Sequence, residues 1–107
     1  MTVGFARLTL IIPGSHSLKE KRMVLRRLKD RAVQKFNLAI AEVGNNDMWQ
    51  RAQVGFAVVG NDRRYVESAV DEIIRFAREQ AEVIDVEREI QTFGDRFGEN
   101  TLGFGLP

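Results

Sequence analysis

A chain of 107 residues with 44% hydrophobic content can bury one core but not two, so a single domain is expected. It has no cysteine and one histidine, which excludes disulfides, thiolate metal sites and a cysteine nucleophile, so neither metal nor cofactor is expected. The net charge of +1 conceals polarisation: Lys19 to Lys35 holds eight of the 16 Lys and Arg against Glu20 and Asp30, a local charge of +6 that leaves −5 elsewhere. Such a chain should present a basic face to something acidic. With no basic leader at the start and no stretch near the roughly 20 apolar residues of a membrane span, a cytoplasmic protein is expected.

Val3 to Ile12 is rich in apolar and β-branched residues and stops at Pro13-Gly14, which reads as a first strand ended by a turn. Ser17 and Glu20 fit a capping box, each side chain satisfying the other residue's backbone N–H, and open a helix that runs to about Phe36. Leu18, Val24, Leu25, Leu28, Ala32 and Phe36 form its buried stripe. Leu38 to Val43 reads as a second strand, followed by the turn residues Gly44 to Asp47. In the third, Gln53 to Val59, Val54, Phe56 and Val58 share a face. Gly60-Asn61-Asp62 ends that strand and caps a helix from Arg63 to about Ala81, with Val66, Ala69, Val70, Ile73, Phe76 and Ala77 inward. Glu82 to Phe93 is the last strand, with Ile84, Val86 and Ile90 on one parity and Asp85, Glu87 and Glu89 on an acidic outer face.

The order strand, helix, strand, strand, helix, strand is the split βαβ plan: an α+β, ferredoxin-like domain with a four-stranded antiparallel sheet and both helices on one face. The domain should span residues 1–93. Residues 94–107 form a Gly- and Phe-rich tail, whose Phe97 and Phe104 are costly to leave in water and suggest docking, on a partner subunit for instance. The sheet's second face must be solvated, bind a ligand or meet another copy.

Ser17-Leu18-Lys19-Glu20-Lys21-Arg22, Ala41-Glu42-Val43, Asp47-Met48-Trp49-Gln50-Arg51-Ala52 and Val58-Val59-Gly60-Asn61-Asp62, in this order and at these distances, resemble the YlxP-like family of small bacterial proteins over roughly residues 3 to 92. The resemblance implies a ferredoxin-like fold, frequent dimers and a function still unknown. It also implies an RNA-related setting, since such genes often neighbour translation and ribosome-maturation genes. The tail departs from the shorter relatives, and nothing is carried over to it.

On the first helix Lys19, Arg22, Arg26 and Lys29 fall within about 80° of one another and make one basic stripe beside the buried face. Such a stripe can follow a phosphate backbone; alternatively, it is a solvated face whose charges pair with the acidic last strand or a neighbouring subunit. Lys21 falls inside the apolar arc, so its stem should be covered while its ammonium snorkels to the helix start; it either faces an anion there or pairs with Glu42. Ser15 and His16 join this anion-site candidate, but His16 has no nucleophile-and-orienter set, so no catalytic residue is assigned. Glu42 among apolar neighbours needs a partner, with Lys21 and Arg51 as candidates. Trp49 could stack on a base, anchor a dimer or join the local core; dimer or core is favoured, and Trp49 is grouped with Phe93, Phe97 and Phe104 as partner contacts. Phe5 and Phe56 on the central strands could stack bases, but alternation with small residues favours the core for both.

The expectation is a non-catalytic binding protein, a homodimer, that contacts RNA or a ribonucleoprotein through helix-one phosphate contacts, with a link to translation or ribosome maturation. The alternative is a homodimeric protein-interaction module without nucleic-acid binding.

Overall fold

Strand β1 (Thr2–Ile11) leads into a turn where Gly14 takes a φ of 82°, a left-handed conformation that glycine adopts without a Cβ clash. The structure, a computed structural model, describes residues 1–44 and 47–94. Helix α1 (Leu18–Lys35) starts at Ser17, whose Oγ accepts the Glu20 N–H at 3.1 Å. The reciprocal bond of the expected capping box is displaced by one residue, because Glu20 Oε2 accepts the N–H of His16, at 2.8 Å, instead of that of Ser17. Then come β2 (Ala39–Gly44), β3 (Arg51–Gly60), α2 (Arg63–Gln80) and β4 (Glu82–Thr92), with Asp62 capping α2 through the Arg64 N–H.

The sheet order is β2-β3-β1-β4 with every neighbouring pair antiparallel, the ferredoxin-like plan. Both helices cover one face and touch each other. Leu8 and Leu10 of β1 and Val54, Phe56 and Val58 of β3 meet Leu25 and Leu28 of α1 and Val66, Val70 and Ile73 of α2 in a single core. Ile74, absent from the expected stripe of α2, is buried as well. At the far end of α1, the Phe36 and Phe76 rings pack edge to face at 5.5 Å, with Lys35 Nζ 5.4 Å from the Phe76 ring centre. Such an aromatic pair adds about 0.5–1.5 kcal/mol beyond its area.

Two side-chain orientations differ from the sequence expectation. In β4 the register to β1 slips between Thr9 and Leu10, so that Asp85 faces Thr9 but Val83, not Ile84, faces Leu10. This bulge turns Val83 onto the core with Val86 and Ile90 and leaves Ile84 46% exposed. In β1 the small residues Gly4 and Ala6 face the helices, whereas Phe5 lies on the open face, 41% exposed. Phe56 takes the core position expected of it.

Candidate nucleic-acid interface

The basic stripe is built by α1, whose Leu25, Leu28 and Ala32 set the face that turns down onto the sheet. Arg31 Nη1 donates to Gln80 Oε1 at 2.6 Å and Lys35 reaches over Phe76, so this flank of α1 faces α2. Lys19, Arg22, Arg26 and Lys29 project about half a turn around the helix from that flank. They therefore look away from α2, on the side where α1 overlies β2. Lys19, Arg22 and Arg26 are exposed and Lys29 is half-buried. Among the described residues no carboxylate lies within ion-pair distance of these four side chains.

The acidic last strand does not supply their counter-charge. Its Glu87 accepts from Arg7 Nε at 2.8 Å on the open face of the sheet, opposite the helices. Arg88, on the same strand, pairs with Asp71 of α2. Glu89 accepts from Gln91. The described ion pairs of Glu87 and Arg88 thus leave the four cations of the α1 stripe without a share of this strand's charge.

Lys21 departs from the expected snorkelling geometry. Its side chain is 1% exposed, and Nζ lies 3.1 Å from Glu42 Oε2 on β2. Glu42 Oε2 is itself buried, and the opposite charges of the two groups stand against each other there. The ammonium joins α1 to β2 beneath the surface and does not extend the stripe. Ser15 is also buried, with its Oγ donating to the Ser17 carbonyl at 3.2 Å, which makes it part of the helix entry and not a surface contact. His16 is exposed at the head of the stripe.

The connection between β2 and β3 meets this same end of α1. Gln50 Nε2 donates to the Ser15 carbonyl at 3.2 Å, and the Ile12 N–H donates to the Gln50 carbonyl at 2.9 Å. Trp49, beside this anchor, is 54% exposed and so is not part of the local core. It borders a recess of about 560 Å³ together with Ile11, Met48, Gln50 and Arg51. Phe93 lies at the opposite end of β1, where its carbonyl accepts from the N-terminal ammonium at 2.8 Å. Phe97 and Phe104 lie outside the described residues.

Residues 3–88 match the family described as "Protein of unknown function (DUF503)". The chain belongs to this family. A curated relative, "Uncharacterized protein YlxP" of Bacillus subtilis (strain 168), is 42% identical over 74 residues, which cover 69% of this chain and 80% of the relative. Among solved structures, the de novo designed protein Foldit4 superposes with a TM-score of 0.51 at 15% identity, covering 86% of this chain and 97% of the design. The designed protein LFR1 1, described as having a ferredoxin fold, gives a TM-score of 0.47 at 17% identity, with 88% of each chain covered. Foldit4 shares the fold alone and brings no activity with it.

In this DUF503 chain, sequence reasoning missed a concavity of about 750 Å³ on the open sheet face, lined in part by Phe5, Ala41, Val43, Gly55 and Glu87. Its one signal was the run of small residues Ala39, Ala41, Gly55 and Ala57, which leave room above the sheet. Among the described residues there is no cluster of three or more His, Asp or Glu that could hold a metal ion. No helix among the described residues is long and apolar enough to cross a membrane.

Proposed function

We propose that this protein is a non-catalytic, cytoplasmic RNA- or ribonucleoprotein-binding protein that grips phosphates with Lys19, Arg22, Arg26 and Lys29. The observation that carries this reading is the absence, among the described residues, of any carboxylate partner for the four cations, while the acids of β4 lie on the other side of the sheet. An unneutralised stripe attracts a polyanion and releases its condensed counterions on contact. From Lys19 to Lys29 the helix rises about 15 Å, enough to meet several successive phosphates. Guanidinium groups at two of the four positions suit bidentate contact with phosphate oxygens. A link to translation or ribosome maturation belongs to the same reading.

The test is RNA binding by the full chain against an Arg22→Ala, Arg26→Ala, Lys29→Ala triple variant, titrated across salt concentrations. The expected result is weaker binding by the variant and a shallower dependence of log K on log salt, by about 0.7 for each single-strand phosphate that the variant leaves unneutralised. Unchanged affinity and slope would overturn the reading. Far-ultraviolet circular dichroism of the variant should match the parent, since these side chains lie outside the core.

A second reading, a homodimeric interaction module, is favoured by exposed Phe5, Val43 and Val59 on the open sheet face. Light scattering separates the two: a dimer dispersed by Phe5→Lys, with the stripe substitutions silent toward RNA, would favour assembly.

A further inference from the structure

We infer that Trp49 is a base-stacking platform at the head of the basic stripe, and that the ligand class is single-stranded RNA. The inference rests on the RNA reading above and adds to it the strand state of the ligand and a contact that phosphate binding alone does not need.

Three observations place Trp49 in that role. Its indole is 54% exposed although the next residue, Gln50, is anchored twice, by its side chain to the Ser15 carbonyl and by its own carbonyl to the Ile12 N–H. These bonds hold Gln50, and with it the chain at Trp49, at the end of the molecule where α1 begins, the end that carries Lys19 and Arg22. β1 ends and β3 begins at this end, with Ile11 opposite Arg51, and Lys21 joins the first turn of α1 to Glu42 near the end of β2. Trp49 therefore follows directly on a backbone that is anchored at the head of α1, and an exposed aromatic surface is what a stacked base requires.

The second observation is the recess beside the ring, about 560 Å³ in volume, whose lining of Ile11, Met48, Gln50 and Arg51 offers apolar surface, an amide and a cation. Arg51 is exposed and, among the described residues, has no carboxylate within ion-pair distance. A nucleotide has a flat apolar face and a phosphate, so a ring flanked by a cation suits both parts at once.

The third observation concerns charge. A two-fold contact centred on Trp49 would bring the Lys19 and Arg22 ends of two copies together, with Arg51 added from each. Asp47, Glu20 and, opposite Ile11 on β4, Glu82 are the acids near this end; the four stripe cations and Arg51 outnumber them, and the Glu20 carboxylate already accepts the His16 N–H. A polyanion is attracted to this surface where a second copy is repelled. The exposed Phe5 lies elsewhere, on the open sheet face, where Arg7 and Arg88 are matched by Glu87 and Glu89 and offer a phosphate no net attraction. A duplex has its bases stacked on one another and presents no free base face to Trp49, whereas a single strand does.

The chain contains a single tryptophan, so its intrinsic fluorescence reports on this ring alone. The experiment titrates the full chain with a short oligouridylate and, separately, with an RNA duplex of the same length, following Trp49 emission and the anisotropy of labelled RNA together. Saturable quenching by the single strand at the concentration that saturates anisotropy, without quenching by the duplex, is expected. Trp49→Ala should lower single-strand affinity about tenfold and leave the salt slope unchanged, and Trp49→Phe should recover most of the loss. RNA binding that depends on Arg22, Arg26 and Lys29 but leaves Trp49 emission unchanged overturns this inference while the phosphate reading stands. Absence of RNA binding overturns both. Loss of a dimer in Trp49→Ala with RNA affinity intact assigns the ring to assembly and overturns the inference as well.

Discussion

Lys21 Nζ lies 3.1 Å from Glu42 Oε2, and the two side chains differ sharply in their access to water, at 1% and 22% exposure. The pair links the first turn of α1 to β2, so it fixes where the basic stripe stands relative to the sheet. Removing either partner should be destabilising, but unequally. Glu42→Gln takes the anion away from an ammonium that has almost no solvent of its own, whereas Lys21→Met leaves a carboxylate that can turn toward water. We expect losses of about 3 kcal/mol for Glu42→Gln and about 1–2 kcal/mol for Lys21→Met, the second discounted for the exposure of Glu42. Urea denaturation of both variants measures the order. Equal or reversed losses would overturn the ranking by solvent access, and losses below about 0.5 kcal/mol in both variants would show that the contact does not hold the helix to the strand.

That pair also shows how far the sequence could be read. Wheel position places Lys21 in the apolar arc, and strand parity places Glu42 among Leu38 and Ile40, so both are expected to need partners. Whether the ammonium rises to the surface depends on how closely α1 approaches β2, which no local pattern encodes. The basic stripe is legible because it lies within one helix, while the absence of an ion-pair partner for it among the described residues depends on the sheet placing β4 on the far side. Phe5 escapes the sequence reading for a related reason. Large residues usually mark the buried parity of a strand, but in β1 Gly4 and Ala6 face inward because α2 comes down close on them, and the bulky Phe5 is left outside.

The close approach at Gly4 gives its own test. A Cβ built there would lie 2.7 Å from Val66 Cγ1 and 2.7 Å from Val70 Cγ2, both on fully buried, β-branched side chains with little rotamer freedom. Gly4→Ala should therefore cost about 1–3 kcal/mol through overpacking, despite the gain expected from a less flexible unfolded chain. Val66→Ala in the same chain should return part of that loss, giving a favourable coupling energy in a double-mutant cycle. Thermal unfolding of the two single variants and the double variant supplies all three values. Additive losses would mean that α2 moves aside without contacting residue 4.

At the head of α1, Ser17 and Glu20 satisfy different backbone groups, so their substitutions should separate. Ser17→Ala removes the acceptor for the Glu20 N–H and should cost about 1 kcal/mol, while Ser17→Asp should be close to neutral because its carboxylate can accept the same bond beside the positive helix end. Glu20→Ala frees only the exposed His16 N–H, which water can solvate, and should cost less, about 0.5 kcal/mol. Chemical denaturation would check the ranking, and a larger loss for Glu20→Ala than for Ser17→Ala would contradict the capping assignment.

The bulge opposite Thr9 and Leu10 reverses what alternation along β4 predicts. By parity with Val86 and Ile90, Ile84 belongs to the core and Val83 to solvent; by the observed register, Val83 faces Leu10 and packs on the core while Ile84 is exposed. A slip of one residue exchanges the two faces of a strand, and only the pairing partner shows where it occurs. Ile84→Lys should thus change stability by no more than about 0.5 kcal/mol, as exposed substitutions do. Val83→Lys must carry an ammonium toward buried Leu10 or open the strand end, and should cost about 2 kcal/mol, moderated by the partial exposure of Val83. Equilibrium unfolding of this adjacent pair discriminates sharply, because an unbulged strand predicts the opposite order: Ile84→Lys damaging and Val83→Lys silent.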